Sequence, residues 1–362
     1  MIMNITWQKN LILSGFPGNN KKTIVFAAGK SGGHIVPCLT LAAAEKKKNS
    51  TTQNIFFTTT SSLDKTIIAS NQTVVDIHKP IELMHLPRTW YEYGSFIWHF
   101  CSSFFTALYV LFDTKPACII STGGIVAKPI CLAGYCLRIP IHLYELNATP
   151  GNAISKLAPL ANSVHCCFHG LDNYFPATKV IHTQYPIRYQ TQEITKDSAS
   201  ARKALNLDPC KATITILGGS QGSQFINQIL DQITSIDTTY WRNVQFIHQT
   251  GHKQIAEVKK LYQQKNITAH VFDYSPNLSG VYAAADLVIG RAGAGTIFET
   301  AAFKKPCILI PLETYATDHQ LLNAYSIVKQ NPELFSLLRQ DDVTTNPLLL
   351  TYSIQSLLKK RS

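Results

Sequence analysis

The chain has 362 residues, enough for two domains of ordinary size that each bury a core. Hydrophobic residues make up 45% and charged residues 15%, which excludes a disordered chain. The net charge of +11, from 33 Lys+Arg against 22 Asp+Glu, favours acidic partners (nucleic acid, anionic lipid or phosphorylated substrates) without choosing among them. The 9 cysteines are odd in number and form no C-x-x-C pair, so a zinc ribbon or redox motif is not expected. Scattered single thiols fit a reducing cytoplasm.

Residues 1–20 are polar and broken by Gly15, Pro17 and Gly18, unlike a signal peptide. Residues 23–28 form an apolar strand, followed by the turn Gly29-Lys30-Ser31-Gly32-Gly33-His34. Residues 37–48 read as a helix whose closing Lys46, Lys47 and Lys48 suit a C-terminus. Residues 54–58 form a second strand before a Ser/Thr-rich loop. Residues 94–112 approach the length of a membrane span, but they carry His99, Ser102 and Ser103 and run directly into a further strand. A buried or interfacial helix is therefore expected, with Phe96, Trp98, Phe100, Phe104 and Phe105 suited either to a headgroup boundary or to a core. Strands follow at residues 117–120 and 141–144; between them lie Thr122-Gly123-Gly124 and a helix through Tyr135. Repeated strand-turn-helix units with hydrophobic strands predict a parallel sheet covered on both faces.

The pattern pauses near residues 179–188, and residues 190–201 are polar, like a linker into a new helix. It then restarts with a strand at 212–217, the turn Gly218-Gly219-Ser220-Gln221-Gly222 and a helix at 225–236. Further strands are read at 244–247, 269–272, 287–289 and 307–310. Two similar halves, each opening with strand, glycine turn and helix, predict an α/β chain of two Rossmann-like domains facing a cleft.

The first glycine turn is neither a P-loop, because Ile24 stands where the earlier glycine is required, nor a G-x-G-x-x-G fingerprint. It lets a ligand approach backbone amides at a helix start, where anions are favoured. His34 would project from this turn, and a helix N-terminus disfavours an imidazolium, leaving the ring able to accept a proton. In the second half, Ser220 and its turn suit a diphosphate. Residues 286–299 run from strand through small residues into a helix, where Glu299 could take a ribose diol. Thr317, Asp318, His319, Gln320 and Asn323 read as a polar loop suited to sugar hydroxyls. No D-x-D triplet occurs, so no cofactor or divalent metal bound by that motif is expected. No aromatic-basic stacking motif supports a nucleic-acid partner.

Taken together, the chain from about Lys22 onward resembles the MurG family. The resemblance rests on Gly32-Gly33-His34, Ser121-Thr122-Gly123-Gly124 with Pro129, and Glu145-x-Asn147-Ala148-x-Pro150-Gly151. It extends through Pro186-Ile187-Arg188, Gly218 to Gly222 with Asn227, Ala285-Asp286, Arg291 to Ala294 with Thr296 and Glu299, and Asp318-His319-Gln320 with Asn323. It implies the two-domain glycosyltransferase fold called GT-B, with residues 1–187 as an acceptor and membrane-associating domain and 188–345 binding UDP-N-acetylglucosamine. Residues 346–362 would form a helix returning to the first domain. The implied activity is inverting transfer of N-acetylglucosamine from UDP-N-acetylglucosamine to lipid I, giving lipid II in peptidoglycan synthesis. The implied place is peripheral, at the anionic cytoplasmic face of the bacterial inner membrane, beside other cell-wall synthesis enzymes.

Residue roles carry over by the same resemblance. His34 is the candidate base, oriented by Glu145, with Thr122, Gly123 and Gly124 on the acceptor side. The donor falls to Ser31, Gly32, Gly33, Asn147, Arg188, Ser220, Gln221, Ser275, Ala294, Gly295, Thr296, Ile297, Phe298, Glu299 and Gln320. Arg188 and Ser220 would face the diphosphate, Ser275 the uracil and Glu299 the ribose. The chain departs from the pattern at Lys30, Ile125, Gln184-Tyr185 and Tyr144. Rival readings are another GT-B lipid glycosyltransferase, a UDP-sugar epimerase, and a binding protein that kept the donor pocket and lost turnover.

Overall fold

The computed structural model describes residues 22–83, 89–219, 222–314 and 319–359. The chain divides into two compact units, Met1–Pro186 and Ile187–Ser362, where the strand-helix pattern pauses.

The first unit is a parallel sheet of β1 (Thr23–Ala27), β2 (Gln53–Thr59), β3 (Ile77–Ile81), β4 (Cys118–Ser121), β5 (Ile141–Glu145), β6 (Ser163–Cys166) and β7 (Val180–His182). Its strand order is β3-β2-β1-β4-β5-β6-β7. Strands covered on both faces read as continuous apolar runs, and every residue of β1 is buried. Phe26 stacks on Phe56 across the central pair at 4.8 Å. The second unit is a parallel sheet of β8 (Thr213–Leu217), β9 (Gln245–Gln249), β10 (Ala269–Phe272), β11 (Leu287–Gly290), β12 (Cys307–Leu309) and β13 (Phe335–Leu337). Here the order is β10-β9-β8-β11-β12-β13. Its core gathers Ile229, Ile233, Trp241, Phe246, Leu287 and Ile289. The Trp241 indole N–H donates to the Ile233 carbonyl at 2.9 Å.

Four strands escape the sequence pattern: β3, β6, β7 and β13. Three of them are edge strands; β3 carries Lys79 and Pro80, as edges tolerate, and β7 and β13 span three residues each. The first helix is longer than the pattern suggests, covering Gly32–Lys48 instead of 37–48. Pro37 had marked the start, but Ser31 is the extended N-cap and its carbonyl accepts the His34 and Ile35 amides. His34 therefore lies in a helical first turn. Residues 190–201, read as a linker, hold the short helix Thr191–Ile194 and the start of the helix Ser198–Ala204.

The apolar stretch near residue 100 is the helix Glu92–Thr114. It is long and apolar enough to cross a membrane, yet only 22% of its most apolar window is buried. Ser103, Ala107, Val110 and Leu111 face inward, and Ser103 Oγ donates to the Glu82 carbonyl at 3.2 Å. The opposite face exposes Ile97, Trp98, Phe105, Tyr109 and Phe112, so the core-helix alternative does not describe it. The terminal helix Leu348–Lys359, for which a return to the first domain was expected, buries Leu350 and Ile354 in the core of the second unit.

Candidate active site

In each sheet the strand order reverses beside the first strand, and ligands of open α/β sheets bind at the carboxyl ends flanking such a reversal. In the first unit the neighbours are β1 and β4. The turn after β1 ends at the N-cap Ser31 and leads into the helical first turn with Gly32, Gly33 and His34, and the turn after β4 carries Thr122, Gly123 and Gly124. The fold brings the two turns into contact. His34 Nδ1 lies 2.9 Å from the Thr122 carbonyl oxygen. A carbonyl only accepts, so Nδ1 carries the hydrogen, and Nε2 of the neutral ring holds the lone pair that can take a proton. Thr122 Oγ1 donates back to the His34 carbonyl at 2.9 Å. Ser121 Oγ donates to the Ala27 carbonyl at 2.6 Å and accepts from the Gly123 amide at 3.1 Å, tying the turns at their base. Gly124 has φ 81°, and a Cβ there would stand 3.2 Å from the Gly29 carbonyl oxygen and 3.7 Å from the His34 ring.

Glu145, expected to orient His34, does something else. Its Oε1 accepts the Asn147 amide at 2.9 Å and Oε2 accepts the Gly151 amide at 2.7 Å, so the carboxylate shapes its own loop. The reason is local: a buried acid at a strand end is well placed to accept the amides of the turn that follows it. The Asn147 side-chain amide also reaches Glu145 Oε1, at 3.3 Å. Tyr144, a departure from the family pattern, is buried and stacks on His165 at 4.4 Å.

Burial pushes the Glu145 carboxyl up to about 7, against the pull of those amides. Burial also pushes His165 down to about 4 and, in the second unit, His248 down to about 3. The acid's raised value gives stability that is present below its ordinary value of 4.5 and lost as pH rises through about 7. The histidines work oppositely, giving stability present above 6.5 and lost as pH falls. Denaturant titration should show wild type exceeding Glu145→Gln by about 2 kcal/mol more at pH 5 than at pH 7. A difference that is flat with pH would refute this role of burial.

In the second unit the sheet reverses between β8 and β11. Of the turn after β8, Ser220 and Gln221 lie outside the described residues. Gly222 has φ 77°, and a Cβ on it would overlap the Thr250 carbonyl, which fixes the turn's path. The turn after β11 opens the helix Ala294–Ala302 behind the N-cap Gly293. The first N–H groups of a helix lack intrahelical acceptors, so Ala294, Gly295 and Thr296 form an anion-favouring start. Phe298 is half-buried one turn on. Ile297 turns its side chain into the core and donates its amide to the Gly293 carbonyl at 3.1 Å, so its place there is structural.

Glu299 is buried and already engaged. Arg188 Nε stands 2.9 Å from Oε1 as an ion pair, without the alignment of a hydrogen bond. Arg188 also donates to the Pro276 carbonyl at 2.8 Å, and the Tyr189 hydroxyl donates to Glu299 Oε2 at 3.3 Å. Burial raises the Glu299 carboxyl, and Arg188 pulls the other way. Two residues expected on different parts of the donor are thus brought together. Ser275 Oγ donates to the Asn277 carbonyl at 2.7 Å in the loop after β10. His319, Gln320 and Asn323 belong to the helix His319–Gln330 rather than to a loop, because apolar residues recur among them at helical spacing. Gln320 accepts the Leu312 amide at 3.1 Å, and Asn323 donates to the Ala292 carbonyl at 3.2 Å. Thr317 and Asp318 lie outside the described residues.

Sequence reasoning left Arg291 without a role. It is a buried cation that, among the described residues, donates to neutral acceptors: the Ile310 and Pro311 carbonyls, Gln340 Oε1 and Ser223 Oγ. Burial lowers its guanidinium to about 10. It clamps the β11 turn to the ends of β12 and of the β8 turn. The motif at Arg291 to Ala294 marks the residue, but the clamp itself depends on contacts distant in sequence.

With this geometry in place, likeness to known proteins is informative. Residues 24–166 match the glycosyltransferase family 28 N-terminal domain, and residues 213–362 match the glycosyltransferase family 28 C-terminal domain. A UDP-N-acetylglucosamine–N-acetylmuramyl-(pentapeptide) pyrophosphoryl-undecaprenol N-acetylglucosamine transferase of Bacteroides thetaiotaomicron is 30% identical over 321 residues, covering 86% of this chain and 84% of its own. The protein of that name from Myxococcus xanthus is 26% identical, covering 91% of this chain and 83% of its own. Among solved structures, Acinetobacter baumannii MurG shares the fold with TM-score 0.70 and 24% identity, over 94% of this chain and 91% of its own. A Neisseria meningitidis UDP-GlcNAc 2-epimerase shares it more loosely, with TM-score 0.56 and 14% identity, over 86% of this chain and 92% of its own. The chain belongs to glycosyltransferase family 28 and, within it, to the MurG family.

Proposed function

We propose that this chain transfers N-acetylglucosamine from UDP-N-acetylglucosamine to the lipid-linked N-acetylmuramyl-peptide acceptor, lipid I, giving lipid II with inversion at the anomeric carbon. Likeness to transferases of this name along most of both chains carries the reading. The acceptor hydroxyl attacks the anomeric carbon as the bond to the UDP diphosphate breaks, through an oxocarbenium-like transition state. His34 Nε2 takes the hydroxyl proton, and the Thr122 carbonyl fixes the ring for that step. The start of the helix Ala294–Ala302 and Arg188 stabilise the departing diphosphate, and Glu299 holds the ribose. No metal is required in this reading. The deciding assay offers lipid I with UDP-N-acetylglucosamine or UDP-galactose. Transfer from the first only supports the reading; transfer from the second, or 2-epimerised donor without acceptor, overturns it.

We place the enzyme on the cytoplasmic face of the inner membrane, held by the aromatic face of the helix Glu92–Thr114. Trp98 is 72% and Phe105 62% exposed, so charges there should leave folding almost unchanged. The pair Trp98→Glu with Phe105→Glu should weaken binding to anionic vesicles roughly tenfold by flotation. Undiminished flotation would remove the helix from this role.

A further inference from the structure

The turn that delivers the chain to His34 passes through Lys30, whose φ of 74° lies in the left-handed region that costs a residue with a side chain. A buried carboxylate meets this turn. Asp64, in the first turn of the helix Ser62–Ala69, is wholly buried. Its Oδ2 accepts the Lys30 amide at 3.0 Å, the Thr59 amide at 3.0 Å and the Thr59 hydroxyl at 2.6 Å. Its Oδ1 is buried without a hydrogen-bond partner. An acid that sinks into the protein with one oxygen bare is costly to keep. Here its other oxygen gathers the end of β2 and the glycine turn into one charge-assisted cluster. The chain has no room to relax around it: a Cβ on Gly29 would stand 2.9 Å from Asp64 Oδ2 and 2.9 Å from Val126.

We propose that Asp64 is a positioning residue for the transfer reaction: by holding the Lys30 amide it keeps that residue left-handed, and so sets where Ser31 caps the helix and where His34 meets Thr122. This rests on the reading of His34 as base. The carboxylate itself touches no substrate.

The test is a cycle of wild type, Asp64→Ala, Lys30→Gly and the double variant. Each is assayed for turnover and donor KM with UDP-N-acetylglucosamine and a lipid I analogue, and for Tm. Asp64→Ala should lower kcat roughly tenfold to a hundredfold, as small displacements of reacting groups do, with donor KM within about twofold. Glycine adopts the left-handed conformation without cost. Lys30→Gly should therefore restore kcat in the Asp64→Ala background to within about threefold and recover most of the lost Tm. Equal losses in both backgrounds would mean that Asp64 is only a core residue, and unchanged kcat in Asp64→Ala would equally overturn the proposal. If Asp64→Ala does not fold, the double variant decides alone, folding and transferring only if Lys30 is what Asp64 restrains. A wild-type chain without transferase activity would sink the functional reading, while the Tm cycle would still decide the role of Asp64.

Discussion

Replacing His34 by alanine is expected to cut turnover about a hundredfold or more, the usual contribution of a positioned general base, while UDP-N-acetylglucosamine binding stays nearly intact. The expectation follows from how the ring is held. Its Nδ1 hydrogen is committed to the Thr122 carbonyl at 2.9 Å, which fixes the ring and makes Nε2 the nitrogen that can accept the hydroxyl proton. Two glycines with positive φ, Gly123 and Gly124, flank the ring; a Cβ on either would come within 3.8 and 3.7 Å of it, at van der Waals contact. Loss of the Thr122 carbonyl bond costs about 1 kcal/mol, which leaves the fold in place. The loss in rate should therefore far exceed the loss in stability. Single-turnover transfer measures the first and denaturant titration the second, with donor titration calorimetry as the control. Partial rescue by added imidazole would place the missing function at the ring itself. Wild-type turnover in the alanine variant would take His34 out of the role, and loss of donor binding would make it a binding group instead.

Much of this site was legible in the residues, because a glycine turn after a buried strand leaves few places for the chain to go. The two turns of the first unit and the helix start before Ala294 stand where the strand pattern put them. What was hidden depends on contacts distant in sequence. Asp64 follows Ser61 with the spacing of a helix cap, and the Ser61 hydroxyl does accept the Asp64 amide at 3.2 Å. The Asp64 carboxylate, however, crosses to Lys30 and Thr59. Arg291 belongs to a family motif but has no role there until the ends of three segments converge on it. Glu145 shows the reverse: a family role suggested a partner for His34, while in the structure its two oxygens accept the Asn147 and Gly151 amides of its own loop. The edge strands β3, β7 and β13 are short or interrupted, and only pairing with their neighbours makes them strands.

Glu299→Ala should have the largest effect in the second unit, acting on donor binding and on stability at once. If the carboxylate accepts both hydroxyls of the ribose, losing two charge-assisted bonds should raise donor KM roughly tenfold to a hundredfold. The same change strands Arg188, which is 76% buried by its side-chain exposure of 24% and pairs with Glu299 at 2.9 Å. Breaking a pair that is partly open to solvent should cost about 2 kcal/mol, below the range for a fully buried one. The two effects separate in a second variant. Arg188→Met with Glu299→Leu removes both charges and fills the space, so stability should return while donor binding stays lost. Glu299→Gln keeps the shape and one acceptor, and should fall between wild type and alanine in donor KM. Tm and donor KM across the four proteins decide the matter. If KM is unchanged in Glu299→Ala and only Tm falls, the carboxylate exists to hold Arg188, and the ribose is bound elsewhere. If KM rises in every variant while Tm recovers in the double one, the ion pair is the resting partner of a residue whose working partner is the donor.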